Sequence, residues 1–237
     1  MTQNHLSVPT VVLVHAAWAD ASSWNKIIPP LQRRGLQAVA VQIPLTSLSD
    51  DAATLRRFLK RVSEPVVLVG HSYGGAVITA AASGNPNVKA LVYIAAMAPD
   101  EGETVGELLH RAAPHANAPA LVPDEDGFLW MPAKGFADAV AQESSAHDTL
   151  LMAATQKPVS IKSVQERMTQ PAWKEKPSWY LVAKHDRMIA PETQRFMAHR
   201  TGGQVFAMGV DHTPLASAPD GVVAIITEAV EAVSHEA

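Results

Sequence analysis

The run Gly70-His71-Ser72-Tyr73-Gly74 has the form G-x-S-x-G, with a continuous apolar stretch (65–70) before it and small residues (73–83) after it. In that setting the spacing serves nucleophilic chemistry. A serine on a sharp strand-to-helix turn stands clear of the sheet edge, and the flanking glycines leave no Cβ where strand and helix cross. The N-terminus of the following helix favours negative charge at the serine. A serine hydroxyl is a weak nucleophile without a base. Of the ten histidines, His212 is the candidate base, because it lies in the loop 209–215, after the last strand and before the last helix. That places it at the same sheet edge as Ser72. His5, His110, His115, His147 and His235 lie in polar or terminal stretches and read as surface groups, as does His199 on a helix, whereas His15 and His71 read as structural. An imidazole base needs a carboxylate to hold its tautomer and stabilise its charged form. Asp186, after the fifth strand, gives the chain order Ser72, Asp186, His212 that accompanies this turn motif. Asp100, after the fourth strand, is the competing acid, and Asp211 reads as a surface or loop residue.

The oxyanion of an acyl-transfer intermediate needs preorganised N–H donors, usually one after the nucleophile and one in the loop after the first strand. Those positions are Tyr73 and Ala17, the latter in His15-Ala16-Ala17-Trp18. Trp18 is either simple packing or a pocket wall. Phe128 and Trp130, with Met131, are further candidate walls, and they point to an apolar substrate of modest size.

The elements that must position these residues are readable from periodicity. Apolar runs at 10–15, 37–43, 65–70, 89–96 and 178–183, with a weaker one at 204–208, predict strands buried on both faces. Helical spacing alternates with them at 23–34, 49–62, 73–83, 191–200 and 219–233. Arg56, Arg57, Lys60 and Arg61 form one side of the second of these helices, a solvated face flanked by Asp50, Asp51 and Glu64. The pattern predicts an α/β fold: a sheet of about six mostly parallel strands flanked by helices, joined by right-handed crossovers. Residues 101–177 are too long for an ordinary connection. They predict a mostly helical cap inserted in a core formed by 1–100 and 178–237. Within it, Asp148 is expected to cap a helix at 149–157, and Ser160 to begin one ending near Met168.

Composition narrows the function classes. The 237 residues carry 19 basic and 23 acidic side chains, for a formal net charge of −4, which argues against nucleic acid as the main partner. No cysteine is present, so thiol nucleophiles, disulfides and thiolate metal sites are excluded. No apolar run approaches the roughly 18 residues of a membrane helix. The polar start, residues 1–9, lacks the pattern of a signal peptide. A soluble cytoplasmic protein without metal or cofactor is therefore expected, and a homodimer is left open.

With these residues in hand, the chain resembles the α/β-hydrolase superfamily over its whole length. It looks most like the small bacterial members related to plant methyl-ester esterases and hydroxynitrile lyases. The carrying segments are 11–24 (VVLVHAAWADASSW), 66–77 (VVLVGHSYGGAV), 92–103, 176–192 and 211–219. The resemblance implies a six-stranded core beginning at the third strand of the full fold, and a helical cap at 101–177. It also implies a triad of Ser72, Asp186 and His212, with Ala17 and Tyr73 at the oxyanion. Two departures bear on chemistry. Relatives usually carry His-Gly in the first loop, where this chain has His15-Ala16, and the extra methyl narrows the site beside the acyl group. The lyases place a threonine after the first-loop histidine and a lysine after the catalytic one, where this chain has Ala16 and Thr213. The expected activity is thus cleavage of small, largely apolar carboxylic esters through an acyl-enzyme. The competing expectations are a thioesterase, lactonase or hydroxynitrile lyase on the same triad, or a catalytically weak small-molecule receptor.

Overall fold

Every position of strand β1 (Thr10–Val14) is buried in the computed structural model, which describes residues 8–234. The same holds for β3 (Val66–His71), and nearly so for β4 (Val88–Ile94), as continuous apolar runs require of strands covered on both faces. With β2 (Ala38–Val41), β7 (Ser178–Ala183) and β8 (Gln204–Met208) they form a six-stranded sheet, order β2-β1-β3-β4-β7-β8. All five pairings are parallel. The expected six strands are all present. β8, the weakest by pattern, is an edge strand with Gln204, Val205 and Ala207 exposed.

Alternate residues of the strands feed two separate cores. Val12, Leu68, Leu91 and Tyr180 pack with α2 (Leu48–Leu59), α3 (Tyr73–Ala82) and α8 (Pro191–Arg200). Leu13, Val67, Val92 and Leu181 pack with α1 (Ile28–Arg33) and α10 (Pro219–Ser234). The expected helix at 23–34 is broken: a 3-10 turn at Ala21–Trp24, capped by the Asp20 carboxylate, precedes α1. Pro29 and Pro30 explain the break, because neither can donate back to the preceding turn. Arg56 and Arg57 on α2, and Lys60 and Arg61 just past its end, are exposed as expected, but Asp51 is fully buried.

Residues 101–177 hold α4 (Val105–Leu109) and a two-stranded antiparallel ribbon of β5 (Phe128–Leu129) and β6 (Val159–Ser160). They also hold α5 (Ala133–Gly135), running into a π-helical turn Phe136–Val140, then α6 (Ala146–Thr155) and α7 (Ile161–Gln165). The ribbon was not expected. The helix assigned to 149–157 starts earlier, because Ser145 and not Asp148 is its cap: the Asp148 N–H donates to Ser145 Oγ, whose hydroxyl donates to Asp148 Oδ2. Ser160 does cap α7, accepting from the Lys162 N–H, but that helix stops at Gln165. Among the described residues, no helix is long and apolar enough to cross a membrane. The readings of His5, His235 and residues 1–7 fall outside the described residues.

The topology creates the site. The chain runs outward from β1 to β2, then returns to the other side of β1 for β3. The loops leaving β1 and β3 therefore diverge to opposite faces and open a crevice at the carboxyl edge. Val14 is paired with Gly70, so the first loop and the serine turn start level. The close approach depends on Gly74, where a Cβ would lie 2.5 Å from the Val14 carbonyl oxygen and 2.7 Å from that of His15. These are backbone atoms at the end of β1 and the start of its loop, and they cannot yield. Gly74→Ala is expected to cost on the order of 3 kcal/mol. Urea unfolding checks this, and an unchanged midpoint would contradict the packing.

Candidate active site

Ser72 sits between β3 and α3 with φ 52° and ψ −121°, a backbone conformation that non-glycine residues rarely adopt. Three hydrogen bonds hold it there: its N–H donates to the Ile94 carbonyl, and its own carbonyl accepts from the N–H groups of Gly75 and Met97. The turn thus presents the side chain while the main chain stays tied to β4. Ser72 is 8% exposed.

His212, in the loop after β8, lies beside it. Its Nε2 is 2.8 Å from Ser72 Oγ, and its Nδ1 is 2.6 Å from Asp186 Oδ2. A carboxylate accepts only, so Nδ1 carries the proton and Nε2 offers a lone pair to the serine hydroxyl. Asp186 is itself immobilised. Its Oδ1 accepts from the N–H groups of Met188 and Ile189, and its Oδ2 also accepts from Gln194 Nε2 at 2.6 Å. Gln194 is fully buried and returns its Oε1 to the Ala183 N–H, so α8 fixes the acid against the end of β7. Asp100, the competing acid, instead pairs with Lys174 and is partly exposed. Ser72, His212 and Asp186 thus form a continuous hydrogen-bonded chain.

Tyr73 and Ala17, the expected oxyanion donors, flank this chain. Among the described residues, neither N–H is donated to another group of the protein. The Tyr73 phenol runs the other way, donating to buried Asp51 Oδ2 at 2.6 Å. Asp51 also accepts from the Leu45 N–H at 2.7 Å. Burial pushes the Asp51 carboxyl up to about 6, against the pull of those two bonds. His15 is fully buried and staples the first loop: its Nδ1–H donates to the Ala16 carbonyl, and its Nε2 accepts from the Ile43 N–H. Burial pushes His15 down to about 4, so it stays neutral.

A cavity of about 180 Å³ opens over His212. Ala16, Ala17 and Trp18 line it from the first loop, and Phe136, Leu151 and Met152 line it from the inserted segment. Trp18 is therefore a wall, held by its indole N–H on the Leu129 carbonyl at 2.9 Å. Phe128 and Trp130 are not. Trp130 is 51% exposed and donates its indole N–H to Asp124 Oδ2, which turns it away from the cavity. Phe128 pairs with Ser160 in the ribbon. Asp211, read as a surface or loop residue, is fully buried. It accepts from the Glu143 and Thr213 N–H groups and from the Ser217 hydroxyl, tying the His212 loop to the inserted segment. Burial raises its carboxyl above the usual range. Thr213 spends its hydroxyl on the Val140 carbonyl.

Comparison with known proteins agrees with this architecture. A family model described as "Alpha/beta hydrolase family" matches residues 11–225. The Alpha/beta hydrolase nvfD of Aspergillus novofumigatus is 28% identical, over 93% of this chain and 96% of its own. Methylesterase 8 of Arabidopsis thaliana is 26% identical, over 88% of this chain and 84% of its own. Among solved structures, a pyrethroid hydrolase from Sphingobium faniae JZ-2 superposes with a TM-score of 0.82 at 20% identity, covering 97% of this chain and 100% of that one.

Proposed function

Because the chain belongs to the α/β-hydrolase family, we propose that it is a serine hydrolase cleaving small, largely apolar carboxylic esters through an acyl-enzyme. The observation that carries this reading is the unbroken chain from Asp186 through His212 to Ser72, at 2.6 and 2.8 Å. Ser72 Oγ attacks the ester carbonyl as its proton passes to His212 Nε2. The new C–O bond places negative charge on the former carbonyl oxygen. The Tyr73 and Ala17 N–H groups receive that charge, and removing one such donor typically costs about 100-fold or more. The imidazolium, facing Asp186, returns its proton to the leaving alcohol. Water then attacks the acyl-enzyme with His212 again as base, releasing the acid and regenerating Ser72.

The cavity supports a small substrate, and Trp18, Phe136, Leu151 and Met152 among its walls support a largely apolar one, although Asp20, Lys26 and Asp148 also line it. Thr213, with its hydroxyl committed to Val140, stands where the lyases carry a lysine, which weighs against cyanohydrin cleavage. A panel of p-nitrophenyl esters from acetate to decanoate, with a thioester, a lactone and a cyanohydrin beside it, tests the reading. The expected result is a kcat/KM maximum at short to medium chains that falls as the acyl group outgrows the cavity. Turnover of the thioester, lactone or cyanohydrin without ester turnover would replace the reading. Saturable ligand binding with no turnover at all would favour a receptor.

A further inference from the structure

His71 closes β3 immediately before Ser72 and is 3% exposed. Its Nε2 lies 2.7 Å from the main-chain carbonyl oxygen of His212. A carbonyl only accepts, so Nε2 carries the proton and Nδ1 is the bare nitrogen. Among the described residues, that Nδ1 is buried with no partner. The ring sits edge-on to Trp24, with centroids 6.5 Å apart, and tilted to His212, with centroids 5.3 Å apart.

The other polar ties of the His212 loop lead elsewhere. Asp211 and Thr213 hold it to Glu143 and Val140 of the inserted segment, and Val210 accepts from His185. Among the described residues, His71 makes the one direct hydrogen bond from the strand that carries the nucleophile to the main chain of the residue that carries the base. We infer that His71 is a positioning residue: its Nε2–H, donated to the His212 carbonyl, sets the imidazole at bonding distance from Ser72 Oγ. The inference rests on the reading of His212 as the base.

The environment suits the role. A charged ring this close to His212 would oppose the imidazolium formed during attack. Burial, with His212 adding to it, pushes His71 down to about 3, so it stays a neutral donor. A displacement of about 1 Å between nucleophile and base is enough to cost 10- to 100-fold in rate.

A saturating fluorophosphonate inactivation assay, reading kinact and KI for Ser72, separates positioning from general packing. His71→Leu fills the space but cannot donate. His71→Gln brings an amide N–H to about the place of Nε2, and His71→Asn is one methylene too short. Expected are a kinact lowered about 10-fold or more in the leucine and asparagine variants with KI unchanged, and a glutamine variant within about threefold of wild type. Thermal melts establish that each is folded at the assay temperature. If the leucine variant does not fold, the glutamine–asparagine pair decides. Equal rates in that pair, or a leucine variant as fast as wild type, would overturn the inference while leaving the base assignment standing. A wild-type Ser72 that takes no label would overturn the base assignment and this inference with it.

Discussion

Ser72→Ala is expected to lower ester turnover by about 10,000-fold or more and to leave the fold intact. The two halves of that expectation have separate causes. Among the described residues, the side chain of Ser72 has one hydrogen bond, to His212 Nε2, so its removal deletes the proposed nucleophile and little else. The three bonds that hold the turn, to Ile94, Gly75 and Met97, belong to the main chain and survive. Alanine and serine also bear similar strain at φ 52°, because each has a Cβ and neither is branched. Circular dichroism and a thermal melt check the fold, and single-turnover kinetics check the loss. Turnover within a few-fold of wild type would place the chemistry elsewhere.

Asp186→Asn has the second largest expected effect, a fall of about 1,000- to 10,000-fold in kcat/KM. The Asp186 carboxylate accepts four hydrogen bonds, from Met188, Ile189, Gln194 and His212. An amide has one acceptor oxygen. If the two main-chain N–H groups keep it, the new NH₂ faces Gln194 and His212. His212 Nδ1 must then accept, which moves the ring proton to Nε2 and removes the lone pair that Ser72 needs. The loss falls on kcat rather than KM, because Asp186 is buried behind His212 and is not among the residues lining the cavity. An asparagine variant with wild-type kcat would show that the acid is not part of the chemistry.

How much of this was legible beforehand divides along physical lines. The six strands were readable because continuous apolar runs have few folded explanations other than a strand covered on both faces. That Ser72, Asp186 and His212 come together was readable because each follows a strand, and in a parallel sheet all such loops meet at one edge. The broken helix at 23–34 also had its signal in the sequence, in Pro29 and Pro30. Three buried polar residues were hidden. Asp51, Asp211 and Gln194 are ordinary by pattern, and what buries them is distant in sequence: Tyr73 for the first, Glu143 for the second. Gln194 lies on a helix whose inward face only the end of β7 defines. The pocket walls were half legible. Trp18 follows from its place beside the first loop. Phe128 and Trp130 do not line the cavity, and aromatic content does not say which face of an inserted segment looks inward. The π-helical turn and α6 supply Phe136, Leu151 and Met152 instead.

Intact-mass spectrometry of the protein exposed to a fluorophosphonate, with peptide mapping and with Ser72→Ala beside it, bears most directly on whether Ser72 is an activated nucleophile. The expected result is a single adduct, mapped to Ser72, formed on wild type and absent from Ser72→Ala. A folded wild type that takes no adduct, or an adduct that persists in Ser72→Ala, would contradict the catalytic reading of the Ser72–His212–Asp186 chain.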